Sequence, residues 1–330
     1  MKIRKAALLI ICLLFFGTIT SQAQKVEIIE TPEGKVGLKF ENGQVLIPAV
    51  YDDFRMPSEN MSAVTVKSKW GFADVMKGVE VIAPKYESVG DFTGGLAAVQ
   101  LNGKWGFINK TGKEVVIPKY DQAGDQVNGA ARVTLNGKWG FVDSMGKEIV
   151  FPKYQRADNF YGGMATVQLN DKWGFIDLTG KEIVTPKYDD ASKFNDGLIR
   201  VLSNNKHVFV DERGKEIFVS KYSVTGDFLG GFAMVSANEK YGFIDKTGKE
   251  LTAINYDFVD DFSEGLAAVG AGDKYGFIDK TGKEVIPLQY GGIYPREVGE
   301  TKKYGFYEGK VKVSLDGREF YIDKSGKEIQ

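Results

Sequence analysis

An all-β chain, laid out as a tandem array of about nine three-stranded antiparallel units with a 34-residue period, is the fold class this sequence predicts. Three observations predict it. A column of mostly aromatic residues recurs at Val36, Trp70, Trp105, Trp139, Trp173, His207, Tyr241, Tyr275 and Glu319, in steps of 34, 35, 34, 34, 34, 34, 34 and 44 residues, the self-similarity that marks repeat architectures. Two further columns keep phase with it. A Tyr lies 19 residues earlier at Tyr51, Tyr86, Tyr120, Tyr154, Tyr188, Tyr222 and Tyr256, and a Gly lies 10 earlier at Gly95, Gly129, Gly163, Gly197, Gly231, Gly265 and Gly309. Within a unit, finally, the pattern has period 2 and is punctuated by hairpin turns.

Taken in order, residues 1–23 read as a secretory signal peptide. Lys2, Arg4 and Lys5 form the basic region, Ala6 to Phe16 the apolar region, and Ser21-Gln22-Ala23 a small-x-small cleavage site before Gln24. The apolar run falls short of the roughly 20 residues of a membrane span, so no span is expected after cleavage; a retained N-terminal anchor is the competing reading. Cys12 lies inside this leader and is the only cysteine. Disulfides, thiolate metal sites and a cysteine nucleophile are therefore excluded from residues 24–330.

Of the 43 Lys and Arg, three belong to the leader, which leaves 40 against 44 Asp and Glu and a net charge of −4. With both signs interspersed, no broad basic surface exists for nucleic acid or anionic membrane.

The third unit shows the strand logic. Gly95 to Leu101 reads as one strand, Asn102-Gly103 as a turn, Lys104 to Asn109 as a second strand, Lys110-Thr111-Gly112 as another turn, and Glu114 to Pro118 as a third strand. Asn-Gly is the strongest short hairpin signal, because a type I′ turn needs positive φ at both central residues. A two-residue loop then pairs Leu101 with Lys104, Gln100 with Trp105, Val99 with Gly106, Ala98 with Phe107 and Ala97 with Ile108. Both faces become apolar, with large opposite small, as a unit stacked between two neighbours requires. Gly106 and its equivalents are expected to admit another chain segment at close range. Pro84, Pro118, Pro152 and Pro186 are expected to end the third strand or keep it at an edge, and the Tyr and Phe of the following YDxxxxF segment to plug the seam between units.

At these residues the chain resembles the WG (KWG) β-repeat family, whose units read roughly YDxxxxFxxGLAxVxxNGKWGFIDxxGKxVIP. The resemblance spans about residues 25 to 330 and departs at Val36-Gly37-Leu38, His207-Val208-Phe209 and Glu319-Phe320-Tyr321. It implies a repeat scaffold of bacterial, often exported, proteins with no shared catalytic residues.

Three short strands and a 34-residue period are both less than a propeller blade takes, and nine units exceed the usual 4–8 blades. An open, curved, solenoid-like array is thus expected; a closed β-propeller is the alternative. Trp70, Trp105, Trp139, Trp173, Tyr241 and Tyr275 are read as structural, and Trp139→Ala is expected to cost about 3–5 kcal/mol as a large-to-small core change.

The search for chemistry is mostly negative. Asp52-Asp53, Asp189-Asp190 and Asp260-Asp261 could in principle serve as paired carboxylates of a glycosidase, but Asp52 and Asp189 share the position after the repeated Tyr with Glu87, Asp121 and Asp257, where an Asx turn suffices. His207 is the one histidine and replaces a column aromatic. The DKTGKE runs lack the ligand spacing of calcium loops, and no Gly-rich phosphate loop precedes a helix. No catalytic, cofactor or metal site is assigned.

One interruption remains: 10 extra residues between Tyr290 and Gly309, within GGIYPREVGETKKYGFYEG. Insertions in repeat arrays map to surface loops, and Tyr294, Arg296, Tyr304 and Tyr307 are residue types enriched at binding hot spots. They form the candidate binding loop; an end cap or longer connection is the other reading. The expected function is an exported binding or structural scaffold for a protein or glycan at the bacterial envelope, periplasmic, surface-held or secreted. A secreted glycan-active hydrolase using paired carboxylates is the alternative.

Overall fold

The computed structural model describes residues 9–10, 25–298 and 301–329. Apart from Leu9–Ile10, whose backbone pairs antiparallel with Val26 and Lys25, the signal-peptide reading lies outside the described residues. Among the described residues, nine small repeat sheets and one two-stranded ribbon follow one another in sequence, all antiparallel and none closed into a barrel, with no helix. The all-β repeat class is therefore what the molecule has. We number the repeat sheets 1 to 9 in chain order.

Sheet 3 is representative. Its strands are Ser88–Val89, Leu96–Leu101, Lys104–Asn109 and Glu114–Tyr120, each hydrogen-bonded to the next. The hairpin register matches the expected one pair for pair, from Leu101 opposite Lys104 to Ala97 opposite Ile108. Asn102 and Gly103 take φ of 52° and 73°, the left-handed region that the two-residue turn demands.

Two features differ from expectation. A fourth, two-residue strand joins the sheet, because Ser88 and Val89 pair with Gln100 and Val99; equivalents occur at Asp53–Phe54, Arg156–Ala157 and Asp190–Ala191. Strand number thus no longer separates these units from propeller blades, whereas the 34-residue period still does. The last strand, moreover, runs past the expected end at Pro118 to Tyr120, while it does lie at the sheet's edge, the other position expected for that proline. Trp105 faces Tyr120 and Phe107 faces Val116, so Ile117 and Pro118 lie in a bulge on the sheet's edge strand. An edge bulge tolerates the missing proline N–H. The bulge also explains the glycine of Trp-Gly: a Cβ on Gly106 would sit 2.3 Å from Val116 O and 2.7 Å from Pro118 N.

The chain forms two compact bodies: residues 1–160 with 167–170 and 176–181, and residues 161–166, 171–175 and 182–330. Each body's core is a series of seams between successive sheets. In the first, Ala97, Val99 and Ile108 of sheet 3 pack with Phe72, Ile82 and Tyr86 of sheet 2. The opposite face, Ala98, Phe107 and Tyr120, packs with Ala131, Val133 and Val142 of sheet 4. The second body repeats this between sheets 6 and 7, 7 and 8, and 8 and 9. At several seams a ring from the segment after the repeated Tyr meets the Phe two residues past the Trp column, as in Phe72 with Phe92, Phe141 with Phe160 and Phe277 with Phe306, centroids 4.8–4.9 Å apart and edge to face; between sheets 3 and 4 the position holds Gln126 instead.

Polar clamps cross the same seams. The carboxylate after the repeated Tyr does not form an Asx turn. Asp121 Oδ1 accepts from Lys104 Nζ of sheet 3 at 2.6 Å, and its Oδ2 accepts from the Asn136 amide in the hairpin turn of sheet 4 at 2.6 Å. Asp52, Asp189 and Asp257 repeat the arrangement. The Lys104 ammonium and the Asn136 amide together hold the Asp121 carboxyl below its ordinary range. A second clamp runs from the Tyr column: Tyr120 Oη and Lys119 Nζ both donate to Glu148 Oε1, at 2.6 and 3.1 Å, and Tyr188 with Glu216 and Tyr222 with Glu250 are equivalent.

Candidate functional site

The 10-residue insertion folds as a β-ribbon, Arg296–Val298 paired with Thr301–Lys303, rooted in sheet 9. That sheet comprises Gly292–Tyr294, Lys310–Leu315, Arg318–Asp323 and Glu328–Ile329. Beside the ribbon lies a cleft of about 250 Å³ whose lining includes Tyr294, Arg296, Tyr307, Lys310, Lys312 and Tyr321. Three of the four residues singled out in the sequence, Tyr294, Arg296 and Tyr307, converge there. Tyr304 does not. Its ring packs into the seam between sheets 8 and 9, edge to face with Phe258 at 5.2 Å, and its amide donates to Asp260 Oδ2 at 2.6 Å.

Each tyrosine of the cleft carries a cation over its ring: Arg296 over Tyr307 at 3.7 Å, Lys312 over Tyr294 at 5.0 Å and Lys310 over Tyr321 at 5.4 Å. Lys312 is further paired with Glu319 at 2.7 Å. Arg296 and Lys310 have no ion-pair partner among the described residues. Tyr294, Tyr307 and Tyr321 are 39, 45 and 41% exposed.

Lys310, Lys312 and Tyr321 escaped the sequence reading because they occupy regular strand positions. In register they stand where sheet 8 buries Leu266, Ala268 and Phe277. The departure Glu319-Phe320-Tyr321 was the available signal. The face that inner sheets turn to their successor is here rewritten with cations and an exposed tyrosine.

The remaining candidates are engaged elsewhere. Trp70, Trp105, Trp139, Trp173, Tyr241 and Tyr275 are half-buried, while the fully enclosed rings are the neighbouring Phe72, Phe107, Phe141 and Phe175 with Tyr51, Tyr86, Tyr120, Tyr154 and Tyr188 of the Tyr column. Arg55 and Arg132 lie over Trp70 and Trp139 at 4.6 and 5.1 Å. Among the carboxylate pairs, Asp52 and Asp189 are clamps, Asp53 accepts from the Phe54 amide, and Asp260 and Asp261 hold Tyr304 and Lys303. His207 Nε2 sits 3.4 Å from Arg200 Nη1, and burial followed by that guanidinium pushes its pKa down. In the DKTGKE runs the Asp caps its own turn: Asp279 Oδ1 accepts from the Thr281 amide and hydroxyl at 2.8 and 2.6 Å. Among the described residues no group of three metal-ligating side chains assembles.

The family profile described as WG containing repeat matches residues 41–70, 70–105, 105–139, 139–173, 173–206, 241–275 and 275–295, well over half of the chain. The chain belongs to the WG-repeat family. Its unmatched stretches include the hairpin strand of His207-Val208-Phe209 and sheet 9 beyond Tyr294, where the Trp-Gly signature is lost. This WG-repeat chain matches no curated protein. Among solved structures it is similar to a eukaryotic initiation factor (11% identity, 93% of this chain and 95% of that one, TM-score 0.38). It is also similar to Hsv2p of Kluyveromyces lactis (8%, 80% and 97%, 0.34) and to PorZ, a surface component of the type-IX secretion system of Porphyromonas gingivalis (11%, 92% and 51%, 0.27). At such TM-scores none carries an argument about this WG-repeat scaffold.

Proposed function

We propose that this WG-repeat scaffold is exported and binds a protein or glycan partner at the bacterial envelope, without catalysis, through the cleft of sheet 9. The observation that carries the reading is the convergence of Tyr294, Tyr307 and Tyr321, all exposed, with Arg296 and Lys310 on one concavity. An exposed repeat face needs only polar side chains to stay soluble. Three exposed rings exceed that need and are the residue type that anchors ligands. Export rests on the tripartite leader of residues 1–23.

The test is retention of fractionated envelope polysaccharide and envelope protein on immobilised residues 24–330, compared with the Tyr294→Ala/Tyr307→Ala double variant. Retention by the unaltered chain that the double variant loses, with an unchanged thermal melt, supports the reading. Equal retention by both places the binding surface elsewhere and overturns it.

A further inference from the structure

We infer that the sheet 9 cleft takes a carboxylate-bearing sugar ring of an acidic polysaccharide. The inference deepens the proposed binding function and rests on it. Charge comes first. The charged residues lining the cleft are Arg296, Lys310 and Lys312, with no carboxylate among the lining, on a chain whose formal net charge is −1. Glu319 answers Lys312, which leaves two cations for a ligand anion. Arg296 presents a planar fork suited to bidentate carboxylate recognition, already held over Tyr307 at 3.7 Å.

Shape decides between sugar and peptide. A volume of about 250 Å³ is smaller than the roughly 300–1,000 Å³ of pockets for drug-sized ligands and suits one ring-sized group. Tyr294, Tyr307 and Tyr321 bring three ring surfaces to the lining, each with a cation over one face. An added peptide strand would need a longer template than the three-residue edge strand Gly292–Tyr294. The pairing of cations with aromatic rings, where inner sheets bury Leu266 and Ala268, therefore fits an anionic ring seated among the three tyrosines with its carboxylate on Arg296 and Lys310.

The experiment is calorimetric titration of residues 24–330 with a galacturonate trimer, its methyl ester and a glutamate hexapeptide, at low and at 0.5 M salt. The acid trimer should bind, weaken at least tenfold in high salt as exposed ion pairs are screened, and lose at least tenfold in the Arg296→Gln and Lys310→Gln variants, whose exposed sites leave the melt unchanged. Equal binding of ester and acid, or no effect of either variant, would overturn the anionic reading while leaving the cleft a binding site. Binding of the peptide alone would overturn the sugar, and absence of all binding would overturn this inference. The envelope-retention comparison of alanine variants stands or falls separately.

Discussion

The Tyr120 hydroxyl donates to Glu148 across the seam between sheets 3 and 4 at 2.6 Å, whereas the Tyr86 hydroxyl, one repeat earlier and equally buried, has no partner among the described residues. One column thus contains both a satisfied and an orphaned phenol. A net hydrogen bond contributes about 0.5–1.5 kcal/mol, and more to a charged acceptor, while an unsatisfied buried polar atom costs about 1–3 kcal/mol. Tyr120→Phe should therefore destabilise by about 1–2 kcal/mol and Tyr86→Phe should be neutral or stabilising by about 1 kcal/mol. Denaturant melts of the two variants check the opposite signs.

The Trp column and the Phe beside it should separate on truncation. Phe141 is fully enclosed and Trp139 is half-buried beneath Arg132. Phe141→Ala should cost about 3–5 kcal/mol. For Trp139→Ala the lost burial and the exposed cation–π contact amount to about 1–3 kcal/mol, below the core value expected from the sequence. Equal losses in urea melts would show that the tryptophan is the deeper anchor.

Stability should fall at both ends of the pH range. Lys104 and the Asn136 amide lower Asp121, and Tyr120 and then Lys119 lower Glu148. A carboxylate lowered in the folded state contributes stability that is present above its unfolded pKa, about 4, and lost as pH falls through the folded value. At the alkaline end, burial and then Glu80 raise Tyr51 to about 12 from 10.0. Its contribution is complete below pH 10 and is lost as pH rises toward 12. Urea melts from pH 2 to 12 should show a plateau between these limits, and Tyr51→Phe should flatten the alkaline limb.

Removal of sheet 9 should be tolerated. A cut after Pro287 would delete buried Tyr290, so the cleaner truncation ends at Gly291. It exposes Leu266, Ala268 and Phe277 of sheet 8 and should cost about one unit and one interface, as neighbour-limited arrays do. Circular dichroism should retain a cooperative melt at lower temperature. Loss of all cooperativity would show that stability is not held locally.

Intact mass of the protein from its native host should begin at Gln24, the residue after Ser21-Gln22-Ala23. A mass that includes Met1 would sink the export reading.

The hairpin registers were legible because a two-residue turn leaves one pairing, as Leu101 opposite Lys104 shows. Strand continuation past Pro118 was not. The edge position of Pro118 and a close approach to Gly106 were both readable, but not that the two meet in a bulge that lets the strand continue. The Asp121 clamp was missed for another reason: its partners lie 17 residues back and 15 ahead, in two sheets, and an isolated Tyr-Asp pair looks like a turn. At the cleft, Tyr294, Arg296 and Tyr307 were visible as an insertion. Lys310 and Lys312 were hidden in ordinary strand positions, and only comparison with the Leu266 and Ala268 columns makes them conspicuous.

The Asp121 clamp has a consequence for how such a chain changes length. Its two arms reach one lysine behind and one amide ahead, and the same reach recurs at Asp52, Asp189 and Asp257. A junction defined by a shared stencil does not record which copy it joins. Duplication or deletion of one 34-residue module, in frame with that stencil, recreates an intact joint at the splice. Loss or gain of a few residues between Lys104 and Asp121, or between Asp121 and Asn136, pulls the arm on that side out of reach. The chain should therefore vary in whole modules while each module keeps its length.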